Sequence, residues 1–318
     1  MRILLIKTSS MGDVVHNLPV VTDVQQHVQD AVVDWVVEEN FAEIPRLHPG
    51  VNRVIPVALR RWRKQFLTKE SREQWRAFKH DVRERVYDAI IDTQGLLKSA
   101  LIARAAFGAR FGYDRASARE PLASFSYQRK FAVAKALHAV ERNRQLVARA
   151  LGYKPDQTPS YGLHGLEAAP SMARGAPFVM CLHATSRDDK LWPEKNWLAL
   201  GVWLAEKNIR CVFPSGNYRE HERASRLASA LPGAEAMAPT CLREMATHLA
   251  NAVAVVGVDT GLTHLACAVG APTIALYCAT DPGLTGVYGS ALAVNLGGIG
   301  AAPSVNDVTA TFIKLTAP

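Results

Sequence analysis

The chain has 318 residues, 48% of them hydrophobic, enough for two α/β cores rather than one. Residues 1–6 hold only a short apolar run with Lys7 behind it, and no stretch nears the roughly 18 apolar residues that span a bilayer, so a soluble or peripheral protein is expected. The net charge of +8 falls wholly in residues 1–170 (26 Lys and Arg against 18 Asp and Glu, with 11 of each in 171–318), so that half expects an anionic partner: nucleic acid, acidic membrane or acidic substrate.

Arg2-Ile3-Leu4-Leu5-Ile6 has the continuous apolar character of a strand buried on both faces of a parallel sheet. The loop Lys7-Thr8-Ser9-Ser10-Met11-Gly12-Asp13 follows, and residues 14–26 read as one helix despite Pro19. Gly12 lets backbone approach a ligand. Asp13 stands just past the carboxyl end of the first strand, where open α/β sheets bind ligands, although a helix cap accounts for it as well. Residues 31–38 and 52–57 are further strands, with a short helix at 41–47 between them. Arg60-Arg61-Trp62-Arg63-Lys64 then sets four cations within five residues, a repulsion that a bound anion would relieve. Residues 71–86 form a charged helix, read as readily as a solvated face.

Residues 87–92 are the next strand, ending in Asp92-Thr93-Gln94-Gly95-Leu96-Leu97-Lys98. A helix runs to residue 106 and a strand covers 107–113. Residues 117–121 and 128–130 read as basic loops. His138, Glu141, Arg142 and Arg144 fall on a helix closing at Gly152, with His138 and Arg142 on one face. A lone helical histidine is more often an ordinary packing residue. Seven Pro and Gly residues between positions 154 and 177 mark a linker.

The alternation restarts with a strand at 178–183. Its loop, 184–193, carries Thr185, Ser186 and Lys190, two hydroxyls and an ammonium that suit a phosphate. Lys190 could instead pair with Asp188. A helix at 194–207, a strand at 209–214, a polar helix with Glu220 and Glu222, and a helix at 242–250 follow. The run Val253-Ala254-Val255-Val256-Gly257 is another strand, after which Asp259, Thr260 and Gly261 open a helix. The unpaired N–H groups there suit a phosphate, and capping by Asp259 or Thr260 explains the residues equally well. A strand at 273–277, a loop from Cys278 to Gly283 and a helix at 304–315 complete the chain.

Neither half contains G-x-G-x-x-G or a P-loop, which demotes NAD binding and P-loop ATP hydrolysis. The cysteines, Cys181, Cys211, Cys241, Cys267 and Cys278, form no C-x-x-C pair; Cys211, Cys267 and Cys278 sit in apolar runs and read as buried thiols of a reducing cytoplasm. No Asp-x-Asp cluster sits at a strand end to hold a divalent cation.

These loops taken together, the sequence resembles the lipopolysaccharide heptosyltransferase I family. The likeness is carried by Lys7-Thr8-Ser9-Ser10-Met11-Gly12-Asp13, Arg60-Arg61-Trp62-Arg63-Lys64, Asp92-Thr93-Gln94-Gly95 and Ala118-Arg119-Glu120-Pro121. It continues in His138-Ala139-Val140-Glu141-Arg142, His183-Ala184-Thr185-Ser186-Arg187-Asp188-Asp189-Lys190, Val258-Asp259-Thr260-Gly261-Leu262-Thr263-His264 and Thr280-Asp281-Pro282-Gly283. The resemblance implies a GT-B glycosyltransferase: two doubly wound Rossmann-like α/β domains facing each other across a cleft. Residues 1–160 would bind the acceptor and carry the catalytic base; 161–318 would bind the nucleotide sugar, with a C-terminal helix able to pack back on the first domain.

The reaction implied is inverting, metal-independent transfer of L-glycero-D-manno-heptose from ADP-heptose onto the inner Kdo of Kdo2–lipid A, in lipopolysaccharide inner-core biosynthesis, with no cofactor. Asp13 would be the general base and Lys190 a second catalytic group. Met11, Gly12, Thr185, Ser186, Lys190, Glu220, Asp259, Thr260, Gly261 and His264 would bind the donor. Arg60, Arg61, Arg63, Lys64, Gln94, Lys98, Arg119, His138 and Arg142 would bind the acceptor. A monomer, no nucleic-acid partner, and a place at the cytoplasmic face of the inner membrane, held peripherally, are likewise what the resemblance to this family implies. The basic acceptor motif favours it over its paralogue heptosyltransferase II, which acts on the heptosylated core. A non-catalytic lipopolysaccharide-binding protein would also explain the basic half, without needing Asp13 or the phosphate loops. A nucleic-acid binder fits the pI of 9.3 but lacks any recognisable reading module. Three departures stand out: Ser186 replaces a common threonine, Cys278-Ala279 stands where Gly-Pro is frequent, and Ser215 where a bulkier residue is frequent near the adenosine.

Overall fold

The computed structural model describes residues 1–65, 68–163, 165 and 176–317. The chain divides into two compact units, Met1–Gly162 and Leu163–Pro318. The first holds strands β1 (Arg2–Ile6), β2 (Val32–Glu38), β3 (Val51–Val57), β4 (Val86–Asp92), β5 (Phe107–Tyr113) and β6 (Arg129–Phe131). They form one sheet in the order β3-β2-β1-β4-β5-β6, parallel throughout. The second holds β7 (Phe178–Leu182), β8 (Arg210–Pro214), β9 (Glu235–Met237), β10 (Ala254–Val258), β11 (Thr273–Tyr277) and β12 (Ala293–Gly297). Its order is β12-β11-β10-β7-β8-β9, again all parallel. Counted from its own first strand, each sheet runs 3-2-1-4-5-6, the doubly wound order.

The central strands carry unbroken apolar runs because helices cover both faces of a parallel sheet. Ile3, Leu4, Leu5 and Ile6 are wholly buried, as are Ala254, Val255, Val256 and Val258. The core of the second unit is built around Trp192, Trp197 and Phe213, with the two indoles edge to face at 5.0 Å. The C-terminal helix Val305–Thr316 buries Val308 and Phe312 in this same core. In the first unit Arg144, fully buried, joins two helices by a bidentate contact to Asp23 (2.8 and 3.0 Å) and a third bond to Glu141. Among the described residues no helix is long and apolar enough to cross a membrane.

Several expected elements change. The single helix expected at 14–26 is two, Met11–Val15 and Leu18–His27, and Pro19 sits in the first turn of the second, where its missing N–H has no intrahelical acceptor to lose. The loop expected at 128–130 is instead largely the edge strand β6, Arg129–Phe131. The expected linker lies largely outside the described residues, at 164 and 166–175. All five cysteines are free thiols; Cys181, Cys211 and Cys267 are buried, Cys278 is only partly so, and Cys241 is exposed.

Candidate functional site

In each unit the strand order reverses at one point, between β1 and β4 and between β7 and β10, and the loops leaving those carboxyl ends are where such sheets bind ligands. In the first unit the two loops are tied by Gln94. Its Oε1 accepts from the Thr8 N–H (2.8 Å) and the Thr8 hydroxyl (2.7 Å), and its Nε2 donates to Ser9 O (3.2 Å). Gln94 is buried, so its amide is spent on the loop. Its N–H and that of Gly95 donate to Asp92 Oδ1, while Tyr127 donates to Asp92 Oδ2 at 2.6 Å.

Asp13 falls in the first turn of the helix Met11–Val15 with 22% of its side chain exposed. Its Oδ2 accepts from the Ser10 N–H (2.9 Å) and the Ser10 hydroxyl (3.0 Å), the capping use. Its Oδ1 faces Arg119, whose Nη1 is 3.6 Å away. One oxygen therefore caps and the other is turned to a cation. Burial pushes this carboxyl up, yet Lys7, Arg119, the Ser10 N–H and His16 outweigh it and hold the pKa down at about 2. Lys7 joins this charged cluster, although the sequence pattern gave it no place there. Buried at the end of β1, its Nζ donates to Thr93 O (3.1 Å) and Asn143 Oδ1 (3.3 Å). Burial lowers its ammonium pKa, and Asp13 is the strongest group opposing that.

The basic cluster folds as the helix Leu59–Lys64. Arg60 and Arg63 line a cavity of about 670 Å³ together with Ser9, Leu59, Trp62, Lys98, and Ser71, Arg72 and Trp75 of the helix Lys69–Arg83. Lys98 donates to Ser9 Oγ at 2.9 Å, and its pKa is lowered by burial and by Arg60 and Arg63, against the pull of Glu38. The cations crowd one another around this space. Arg61 is turned aside, bonded to both oxygens of Glu39 (3.1 and 2.9 Å) and to Gln74 (2.7 Å). Lys64 is not among the lining residues. Arg72 and Trp75 escaped sequence reasoning because a charged helix is ordinarily a solvated face; the interleaved aromatics were the available signal. Arg119, His138 and Arg142 gather instead on the Asp13 side. His138 caps the helix Ala139–Leu151, its Nδ1 accepting from the Val140 N–H at 3.2 Å, and its ring meets His16 edge to face at 5.3 Å. Arg142 donates to Ser117 O (2.7 Å) and lies 5.1 Å over the Tyr113 ring.

In the second unit the loops after β7 and β10 meet at Asp259. Thr185 Oγ1 donates to its backbone oxygen (2.9 Å). Lys190 Nζ and Thr280 Oγ1 both donate to its Oδ2 at 2.7 Å, and His264 Nε2 lies 3.9 Å from its Oδ1. These contacts hold the Asp259 carboxyl well below the usual range in spite of its burial. Asp259 thus fixes the Lys190 ammonium in place, and the alternative Lys190–Asp188 pairing does not form: Asp188 meets Arg219 at 3.1 Å. Thr280, from the loop after β11, is a second missed residue. Thr260 precedes the helix Gly261–Ala268 without a side-chain cap bond. Gly257 permits the tight exit of β10, since a Cβ there would sit 2.3 Å from Thr263 Oγ1 and 3.1 Å from Leu182 Cβ. His183, fully buried at the end of β7, is held neutral by burial at a pKa of about 4.

A second cavity, of about 550 Å³, is lined by Thr185, Ser186, Asn217, Glu220, Arg219, Arg223 and neighbours. Glu220 is anchored there by the Gly216 N–H and the Asn217 side-chain amide, both at 2.7 Å. Ser215 bonds inward to Met237 O (3.1 Å). Among the described residues no three His, Cys, Asp or Glu side chains gather as a metal site.

Two parallel six-stranded sheets of one strand order, one per unit, define the GT-B class of glycosyltransferases. The family model for glycosyltransferase family 9 (heptosyltransferase) matches residues 75–311. The chain is 49% identical over 293 residues to lipopolysaccharide heptosyltransferase 1 of Escherichia coli, covering 91% of each. Its structure is similar over the whole of both chains to E. coli heptosyltransferase WaaC with ADP (TM-score 0.93, 45% identity) and with ADP-2-deoxy-2-fluoro heptose (TM-score 0.90, 43% identity). The chain belongs to glycosyltransferase family 9, the heptosyltransferases.

Proposed function

We propose that this chain transfers L-glycero-D-manno-heptose from ADP-heptose to the inner Kdo of Kdo2–lipid A at the cytoplasmic face of the inner membrane. The first unit would take the acceptor and the second the donor. The observation that carries the reading is the Asp13 carboxylate, in the first turn of the helix after the switch-point loop: one oxygen is locked by Ser10 and the other lies 3.6 Å from Arg119. The acceptor's sugar hydroxyl attacks the anomeric carbon, Asp13 Oδ1 takes its proton, and the bond to ADP breaks with the electron pair leaving on the diphosphate. Lys190, the Thr185 and Ser186 hydroxyls and the first N–H groups of the helix Gly261–Ala268 meet that growing charge.

A carboxylate with a pKa of about 2 is a weak base. The acceptor's own carboxylate would draw on Arg119 and so remove part of the field that depresses Asp13. Binding the right substrate would thereby raise the basicity of the group that deprotonates it. Arg60, Arg63 and Lys98, crowded around the 670 Å³ cavity, supply cations for the remaining anionic groups, with Trp62 and Trp75 as apolar walls.

Mass spectrometry of Kdo2–lipid A incubated with ADP-heptose and the protein tests the reading: a single added heptose is expected, with no addition to an already heptosylated acceptor. Asp13→Ala should lower turnover by about 10²–10⁴-fold. Near-normal turnover in that variant would remove Asp13 from the mechanism.

A further inference from the structure

The helix Leu97–Ala105 buries Ser99, Ala100, Ile102, Ala103 and Ala105, and its outward stripe should therefore be polar. It is not. Leu97 is 44% exposed and Leu101 62%, with Arg104 completing the stripe. Beside it runs the short 3₁₀ segment Pro121–Ser126, which buries Ala123 and Ser124 and exposes Leu122 (59%) and Phe125 (67%). Three residues apart on a three-residue turn, these two side chains share one side. The two elements are fastened together: Ala100 packs with Ala123 and Tyr127, and the Leu97 N–H donates to the Glu120 carboxylate. Four large apolar side chains are thus displayed on a built surface, more than scattered exposure explains.

The rim is cationic. Lys130 Nζ lies 5.9 Å from the centre of the Phe125 ring, Arg110 Nε donates to Ser126 O at 2.9 Å, and the exposed Arg104 lies on the helix itself, one turn beyond Leu101. The carboxylate of Glu120, just before the 3₁₀ segment, accepts from the Leu97 N–H. Apolar side chains ringed by Lys and Arg match the interface of an anionic bilayer, where the rings and leucines enter the headgroup region and the cations meet phosphate. The patch also adjoins the site, because Lys98 of the same helix reaches Ser9 in the Asp13 loop.

We infer that Leu97, Leu101, Leu122 and Phe125, with Arg104 and Lys130, form the surface by which this protein docks on anionic phospholipid. This role rests on the acceptor being lipid-anchored, as proposed, and it brings the bilayer next to the residues that would hold that acceptor. Flotation with unilamellar vesicles tests it, using phosphatidylethanolamine and phosphatidylglycerol at three to one against phosphatidylcholine alone. The wild type is expected to float with the anionic vesicles only. The L101S/F125S variant, altered at two exposed positions, should lose at least about tenfold in bound fraction, and R104Q/K130Q should lose several-fold together with the salt dependence. Turnover of a de-acylated, water-soluble Kdo acceptor should be unchanged in both variants. Equal flotation of L101S/F125S, or failure of the wild type to float on anionic vesicles, would overturn the docking surface. Loss of de-acylated turnover matching the loss of flotation would overturn it too, by placing the patch in the site. Normal flotation behaviour with no heptose transfer to any Kdo acceptor would instead count against the proposed reaction alone.

Discussion

Asp13 gathers its environment from far along the chain. Its neighbours Ser10 and His16 are local, but Lys7 reaches it through a pocket made with Thr93 and Asn143, and Arg119 comes from the loop after β5. Lys7→Met keeps the buried volume and removes the cation, so the Asp13 pKa should climb by about 1–3 units. The acid limb of the kcat/KM profile should then enter the measurable range, whereas the wild type stays flat well below pH 5; coincident profiles would clear Lys7 of a positioning role. Asp13 and Asp259 both have depressed pKa values in the folded state. A depressed carboxyl contributes stability that is complete above its unfolded value, about 3.9, and is lost as pH falls from there toward the folded value. Stability should therefore fall between about pH 4 and 2 in thermal unfolding, and the fall across that window should be shallower in Asp259→Asn. At this scale the sequence made Asp13, Thr185, Lys190 and Asp259 visible, because each lies within eight residues of the carboxyl end of an apolar strand. It hid Lys7 and Thr280, whose partners are set by strand order rather than by spacing. It also left Gln94 and Arg61 looking like ligand contacts, when their polar groups are spent on Thr8, Ser9, Glu39 and Gln74.

The elements that were easy to read are those buried on two faces. β1, β4, β7, β10 and β11 announce themselves as apolar runs. β6, β9 and β12 do not: two are three-residue edge strands, and the third, Ala293–Gly297, is half-exposed with Asn295 in its middle. An edge strand needs only one neighbour and one covered face, so its pattern carries little signal. The exit of β10 offers a sharper test. Gly257→Ala places a methyl 2.3 Å from Thr263 Oγ1 and should cost about 1–3 kcal/mol. A loss of several degrees in Tm is expected, along with weaker ADP binding, because Asp259 and Thr260 follow two and three residues later. Adding Thr263→Ala removes the clashing hydroxyl and should recover part of the Tm. No recovery would mean that the strain lies against Leu182 instead.

Over the whole molecule, the charge division by halves was the feature that composition alone revealed, and the two units show what it is attached to. The basic excess sits in the unit that holds Arg60, Arg63, Lys98 and Arg119, while residues 171–318 carry 11 cations against 11 anions, with Lys190 paired to Asp259. Raising salt from 50 mM to 300 mM should increase the acceptor KM several-fold and leave the KM for ADP-heptose nearly constant, since only exposed charges are strongly screened. Equal shifts in both constants would contradict the division. Each sheet, finally, completes its ladder of hydrogen bonds without borrowing a strand from the other unit. A chimaera joined between them would therefore inherit two intact ladders, so either unit could be exchanged while the other kept its sheet and its switch-point loops.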